Sequence, residues 1–114
     1  MSEPWQDRVI VEARKATAYL LSWDHPMGRT KAKFFARFGF DLANLNDFRD
    51  ALVEHAQGAN DWTTEFTAFG RKYVVERPLL TPDGRNPLLR SIWFEEHDES
   101  PVRLVTAYPV GGDR

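Results

Sequence analysis

In the run Trp62-Thr63-Thr64-Glu65-Phe66-Thr67-Ala68-Phe69-Gly70-Arg71-Lys72-Tyr73-Val74-Val75-Glu76-Arg77 the chain changes its period. Trp62, Thr64, Phe66 and Ala68 fall on one side of an extended segment, and Thr63, Glu65, Thr67 and Phe69 on the other. That two-residue alternation is a strand. Gly70-Arg71 offers a tight turn and Tyr73 to Arg77 returns, so the run predicts a β-hairpin.

Upstream the spacing is helical. Val9, Ile10, Ala13, Ala16, Leu20 and Leu21 recur at three- and four-residue steps, predicting a first helix with Ser2 as cap and Pro4 in its opening turn. Ser22 to Gly28 breaks the pattern, because Pro26 pushes His25 out of helical conformation. A second helix is expected from Arg29 to about Phe38, ended by Gly39. Asn44 or Asn46 can cap a third, which turns Leu45, Phe48, Leu52 and Val53 inward and stops at Gly58.

Downstream, Pro82-Asp83-Gly84 makes a turn, Leu88 to Phe94 a third strand and Val102 to Tyr108 a fourth, closed by Pro109. Segregated helices followed by a meander predict an α+β domain: three N-terminal helices packed on one face of a four-stranded antiparallel sheet. The opposite face is left for a ligand. Alternation along the last strand puts Thr106 and Tyr108 on one face, and Val105 and Ala107 on the other.

Composition agrees with one domain spanning 1–114, with a core over about 5–110. The 114 residues contain 15 basic and 17 acidic side chains, 42% hydrophobic residues and no cysteine, which excludes a disulfide scaffold and a thiolate metal site. No apolar run suits a signal peptide or a membrane span, so a cytoplasmic chain is expected. The net charge of -2 argues against bulk attraction to a polyanion. It conceals an uneven distribution, however. Residues 1–40 hold seven basic against four acidic residues, whereas residues 41–70 hold six acids against Arg49 alone. From His25 to Phe40 there is no acid.

The candidate chemistry follows from that basic stretch. His25, Arg29 and Lys31 lie within seven residues at a helix start, where backbone N–H groups already favour an anion. Arg29 can clamp a phosphate in bidentate fashion, Lys31 adds a point charge, and His25 can move a proton near neutral pH. The same residues also read as a loop histidine and the solvated face of an amphipathic helix. Arg71 and Lys72 beside the hairpin turn, and Arg90 and Arg103 on the later strands, are further cations for a groove floored by Thr106 and Tyr108. They equally suit strand ends kept soluble by charge. His25, His55 and His97 have no metal-ligand spacing, so neither a metal nor another cofactor is expected. Most of the four tryptophans suit a core better than a stacking platform.

His25-Pro26-x-Gly28-Arg29-x-Lys31-Ala32-x-Phe34-Phe35, Gly70-x-Lys72-Tyr73-Val74-Val75, Pro82-Asp83-Gly84-Arg85 and Leu104-Val105-Thr106-Ala107-Tyr108-Pro109 together resemble a bacterial domain family of unknown function, over about residues 15–109. Helices first and a meander ending in Thr-x-Tyr-Pro are in turn similar to the barnase, EndoU, colicin and RelE-like nuclease superfamily. That resemblance implies a small metal-independent endoribonuclease, a toxin of a toxin-antitoxin, phage or polymorphic-toxin system, with RNA as substrate and a cognate antitoxin or immunity protein as partner. It implies His25 as acid or base, Arg29 and Lys31 as phosphate ligands, and Thr106 and Tyr108 as positioning groups. Lys72, Arg71 and Arg103 would bind substrate. The alternatives are a non-catalytic protein-binding module of the same fold, or an antitoxin or immunity protein, which the acidic segment 41–65 suits.

Overall fold

The computed structural model describes residues 4–21 and 29–110. The expected Ser2 cap and the break at Ser22 to Gly28, His25 included, lie outside the described residues. A 3-10 turn, Trp5–Arg8, leads into β1 (Val9–Ile10). α1 runs over Ala13–Lys15 and widens into a π turn over Ala16–Leu20. α2 (Arg29–Arg37) and α3 (Leu45–Gln57) follow, then β2 (Thr63–Thr67), β3 (Gly70–Pro78), β4 (Leu88–Glu95) and β5 (Val102–Pro109). The sheet order is β1-β5-β4-β3-β2.

The α+β class and the meander of the last four strands stand, but the sheet has five strands and is mixed. β1 pairs parallel to β5, Val9 beside Val102 and Ile10 beside Arg103. The expected first helix is therefore interrupted. Val9, Ile10 and Val11 are three consecutive β-branched residues, whose restricted χ1 favours extended backbone, and Glu12 is still extended at ψ 138°. The helical spacing of their apolar side chains coincided with a short edge strand.

Two local details of the strands also differ from expectation. The hairpin turns at Ala68-Phe69 rather than Gly70-Arg71, because the Thr67 hydroxyl accepts from Phe69 N–H at 3.1 Å and donates to Gly70 C=O at 3.0 Å. In β5 a bulge falls where Ile92 pairs with Thr106 but Trp93 with Leu104. Val105 is the extra residue. It is 41% exposed, while Ala107 is fully buried, so the two do not share a face. Thr106 and Tyr108 do share one.

The core lies between the helices and one sheet face. Phe34 and Phe35 of α2, Phe48 and Leu52 of α3, and Tyr73, Val75, Leu89, Trp93 and Leu104 of the strands are buried together. Each large apolar side chain placed there stabilises the fold by roughly 1.5–3 kcal/mol. The Phe35 and Phe48 rings meet edge to face at 4.8 Å. Pro82-Asp83-Gly84-Arg85 clamps the end of α2: Arg85 donates to the Arg37 carbonyl, lies 4.4 Å from the Phe38 ring centroid, and is held by Asp83 at 2.6 Å. Among the described residues, no helix is long and apolar enough to cross a membrane.

Candidate functional site: a groove on the uncovered sheet face

Side chains alternate along the strands, so burial of Tyr73, Val75, Leu89, Ser91, Trp93 and Ala107 against the helices turns their neighbours to the opposite face. There Lys72, Val74 and Glu76 of β3, Arg90 and Ile92 of β4 and Tyr108 of β5 line a groove of about 600 Å³. Asp61, Trp62, Thr63 and Glu65 form its wall beside β2.

The register fixes the chemistry at the β5 end. Glu76 is paired with Arg90 and Arg90 with Tyr108, so three polar side chains stand in one row across three strands. Arg90 donates from Nε to Glu76 Oε1 at 2.9 Å and from Nη1 to the Tyr108 hydroxyl at 3.2 Å. Its guanidinium lies 5.5 Å from the Tyr108 ring centroid. The hydrogen bond to Tyr108, and then the one to Glu76, raise the Arg90 pKa further, so this charge is permanent. On the β2 side Lys72 Nζ is 3.3 Å from Glu65 Oε2. Thr106 belongs to the same face, and its buried Oγ1 has no hydrogen-bond partner among the described residues.

The expected site residues are thus divided. Lys72, Thr106 and Tyr108 come together on the uncovered face. Arg71 faces the helical side, where it pairs with Asp98 and lies 3.5 Å from Glu95. Arg103 lines a separate depression of about 360 Å³ with Lys15, Phe94 and Val105. Arg29 and Lys31 open α2 in the helical layer, and His25 lies outside the described residues.

Glu76 is the candidate group that sequence reasoning missed. Its distance of two from Val74 and four from Lys72 marked the shared face. Nothing in the sequence set it opposite Arg90, since that requires the register. Most of the tryptophans are expected in the core, but Trp62 is 37% exposed at the groove wall; its ring is braced edge-on by Trp5 at 5.6 Å, which stacks on Tyr73 at 4.3 Å.

Two buried polar clusters lie away from the groove. His55 Nε2 is 2.8 Å from the Arg77 carbonyl, which can only accept, so Nε2 carries the proton and Nδ1 accepts from the Ser91 hydroxyl at 2.7 Å. Trp93 Nε1 donates to that same hydroxyl at 2.8 Å. Burial lowers the His55 pKa, opposed in part by its bond to Arg77. The second cluster surrounds Glu95, 1% exposed, which takes an ion pair from Arg8 at 2.5 Å and a hydrogen bond from the Tyr73 hydroxyl at 2.9 Å. The His55 and Glu95 side chains are themselves buried, and both arrangements fasten the layers together.

Three comparisons with known proteins bear on this arrangement. A family model described as a domain of unknown function, DUF6883, matches residues 3–111. No curated protein matches the chain. Among solved structures, a chain of a contact-dependent growth inhibition toxin - immunity protein complex from Klebsiella pneumoniae 342 superposes with a TM-score of 0.71 at 16% identity. The match covers 89% of this chain and 99% of that one, so the two share a fold.

Proposed function

The chain belongs to the DUF6883 family, and on that premise we propose that it is the toxin of a toxin-immunity pair, a small endoribonuclease that works without a metal. The likeness of fold to a chain of such a complex supports the pairing with a partner. The row Glu76-Arg90-Tyr108 on the uncovered sheet face carries the reading of the chemistry. Cleavage of RNA by its own 2′-hydroxyl needs a base for that proton, cationic stabilisation of the phosphorane and a proton for the departing 5′-oxygen. The 2′-oxygen forms its bond to phosphorus as the bond to the 5′-oxygen breaks, leaving a 2′,3′-cyclic phosphate and a 5′-hydroxyl.

In this proposal Glu76 takes the 2′-proton, Arg90 and Lys72 hold the phosphate charge, and Tyr108 gives its proton to the departing 5′-oxygen and regains one from solvent as Glu76 releases its own. Thr106 positions the substrate. His25, Arg29 and Lys31 are proposed as an acid or base and two phosphate ligands of a separate RNA contact, because α2, which carries Arg29 and Lys31, belongs to the helical layer and not to the groove, while Arg71 and Arg103 contact the RNA further out. RNA would also have to displace carboxylates, because Lys72 and Arg90 are already paired with Glu65 and Glu76.

That pairing favours a second reading. Among the described residues the groove is lined by three carboxylates, Asp61, Glu65 and Glu76, against two cations, so it also suits a non-catalytic protein-binding module, including an immunity protein.

The deciding experiment incubates total RNA in EDTA with wild type, with His25→Ala plus Lys31→Ala, and with Tyr108→Phe. Cleavage by wild type that Tyr108→Phe slows about 100-fold supports the groove as the active site. Loss in the His25 and Lys31 variant supports the α2 segment as the separate RNA contact. Intact RNA with folded wild type selects the binding module.

A further inference from the structure

The two edges of the sheet are built differently. β1 ends it with two residues, whereas β2 ends it with five, Thr63–Thr67. The outer side of β2 has no strand partner among the described residues. Edge strands are ordinarily blunted by Lys, Pro, a bulge or a covering segment, because unpaired N–H and C=O groups invite another strand. β2 contains neither Lys nor Pro, and its register against β3 runs unbroken from Thr63 beside Val74 to Thr67 beside Gly70. Its one charged residue, Glu65, leans inward to Lys72. Phe66 and Phe69 are 79% and 83% exposed, more than any other large apolar side chain among the described residues. An open ladder flanked by two solvated phenylalanines is a surface built to be covered.

We propose that β2 docks a strand of the partner protein by edge addition, and that this strand alternates Lys or Arg with apolar residues. The two faces of β2 set that pattern. Thr63 and Glu65 lie on the groove face with Lys72 and Val74, and Asp61 stands beside them. Thr64 and Phe66 lie on the opposite face with Tyr73 and Arg71. An added strand continues both faces, so one set of its side chains meets Glu65 and Asp61, and the alternate set meets Phe66, with Phe69 at the turn. The surrounding segment 41–70 carries six acids against one Arg, which attracts a basic partner during encounter. A second copy of this chain fits poorly. Antiparallel self-pairing centred on the five residues sets Glu65 against Glu65, and like charges directly opposite destabilise a ladder.

This docking edge deepens the toxin-immunity reading and rests on its partner protein, not on RNA cleavage. The probe is a nine-residue peptide alternating Lys and Val, compared with its N-methylated form, which keeps the charge but cannot complete a ladder, and with a Glu-Val peptide. Binding is measured by fluorescence polarisation and located by amide hydrogen exchange. The expected result is slowed exchange at Thr63 to Thr67 with the Lys-Val peptide, and at least tenfold weaker binding of both comparison peptides. Phe66→Lys with Phe69→Lys should weaken the Lys-Val peptide at least tenfold while leaving RNA cleavage unchanged. Equal binding of the N-methylated peptide, protection confined to the groove strands, or no binding overturns the proposal. So does a wild-type dimer in sedimentation that the Phe66→Lys and Phe69→Lys variant dissociates. Since peptide binding and RNA cleavage are read separately, an inactive protein that still binds at β2 refutes the nuclease alone.

Discussion

Arg90 and Tyr108, 18 residues apart, are joined across β4 and β5 by a 3.2 Å hydrogen bond from the guanidinium to the phenol, with the same guanidinium 5.5 Å from the ring centroid. Arg90 is also bound to Glu76 on β3, so the three side chains form one unit on the face that the helices leave uncovered.

Removing the phenol oxygen tests that unit directly. Tyr108→Phe retains the ring under Arg90 but leaves no group to receive its hydrogen bond or to donate to an RNA oxygen. The expected outcome is a fall in cleavage rate of about 100-fold, within the range of a lost general acid or base, with the melting temperature almost unchanged. Gel-resolved cleavage of a labelled RNA, beside a thermal melt, provides both readings. A large fall in melting temperature would instead make Tyr108 a structural residue.

His55 makes stability depend on pH in a known direction. Its pKa is lowered by burial from the ordinary 6.5, so below that value the unfolded chain takes up a proton that the folded chain refuses. The contribution is complete above about pH 6.5 and is lost as pH falls from there towards the lower folded value. Protonation would place a hydrogen on Nδ1, where the Ser91 hydroxyl now donates. Urea midpoints between pH 7.5 and 5 should therefore fall more steeply for wild type than for His55→Gln. Parallel curves would show that His55 contributes nothing to the slope.

Glu95→Ala removes a 1% exposed carboxylate from between Arg8, Arg71 and the Tyr73 hydroxyl. Truncating one partner of a buried ion pair leaves the other charge uncompensated, and the expected loss is about 3–5 kcal/mol. Denaturant unfolding measures it. The partial exposure of Arg8 and Arg71 lets water reach their charges, so a loss near the lower value is the sharper expectation.

Gly70 occupies a backbone that other residues avoid. Its φ is +146°, and a Cβ built there would collide with the Glu95 carbonyl oxygen. Gly70→Ala must open the first β3–β4 pairs or unwind the hairpin, with an expected cost above about 1 kcal/mol. Gly84→Ala, at φ +77° with no described residue within 4 Å of its Cβ, should cost less. The two unfolding midpoints compare close contact with backbone strain alone.

Much of the fold was legible because local physics carried it. The alternation of Trp62 to Phe69 against the three- and four-residue spacing of Leu45 to Val53 separates strand from helix without tertiary help. Gly39 and Gly58 ended helices as expected, at or one residue beyond the observed caps. Val9 to Val11 was ambiguous for a physical reason: an apolar trio fits either a helix face or a buried edge, and only Val102 beside it selected the strand.

The sequence by itself determined the α+β class, the helical layer, the meander and the shared face of Thr106 and Tyr108, since periods of 3.6 and 2 are properties of neighbouring residues. Only the tertiary structure decided that Glu76, Arg90 and Tyr108 stand in one row, that a bulge at Val105 turns it from the Ala107 face, and that Arg71 faces the helical layer while Lys72 enters the groove. Register is set by packing across strands far apart in the chain, and moving it by one residue exchanges the two faces. The family motifs divide in the same way. Phe34, Phe35, Leu104 and Ala107 are core, and Arg85 clamps a helix end, which leaves Thr106 and Tyr108 of the closing motif facing the groove side of the sheet.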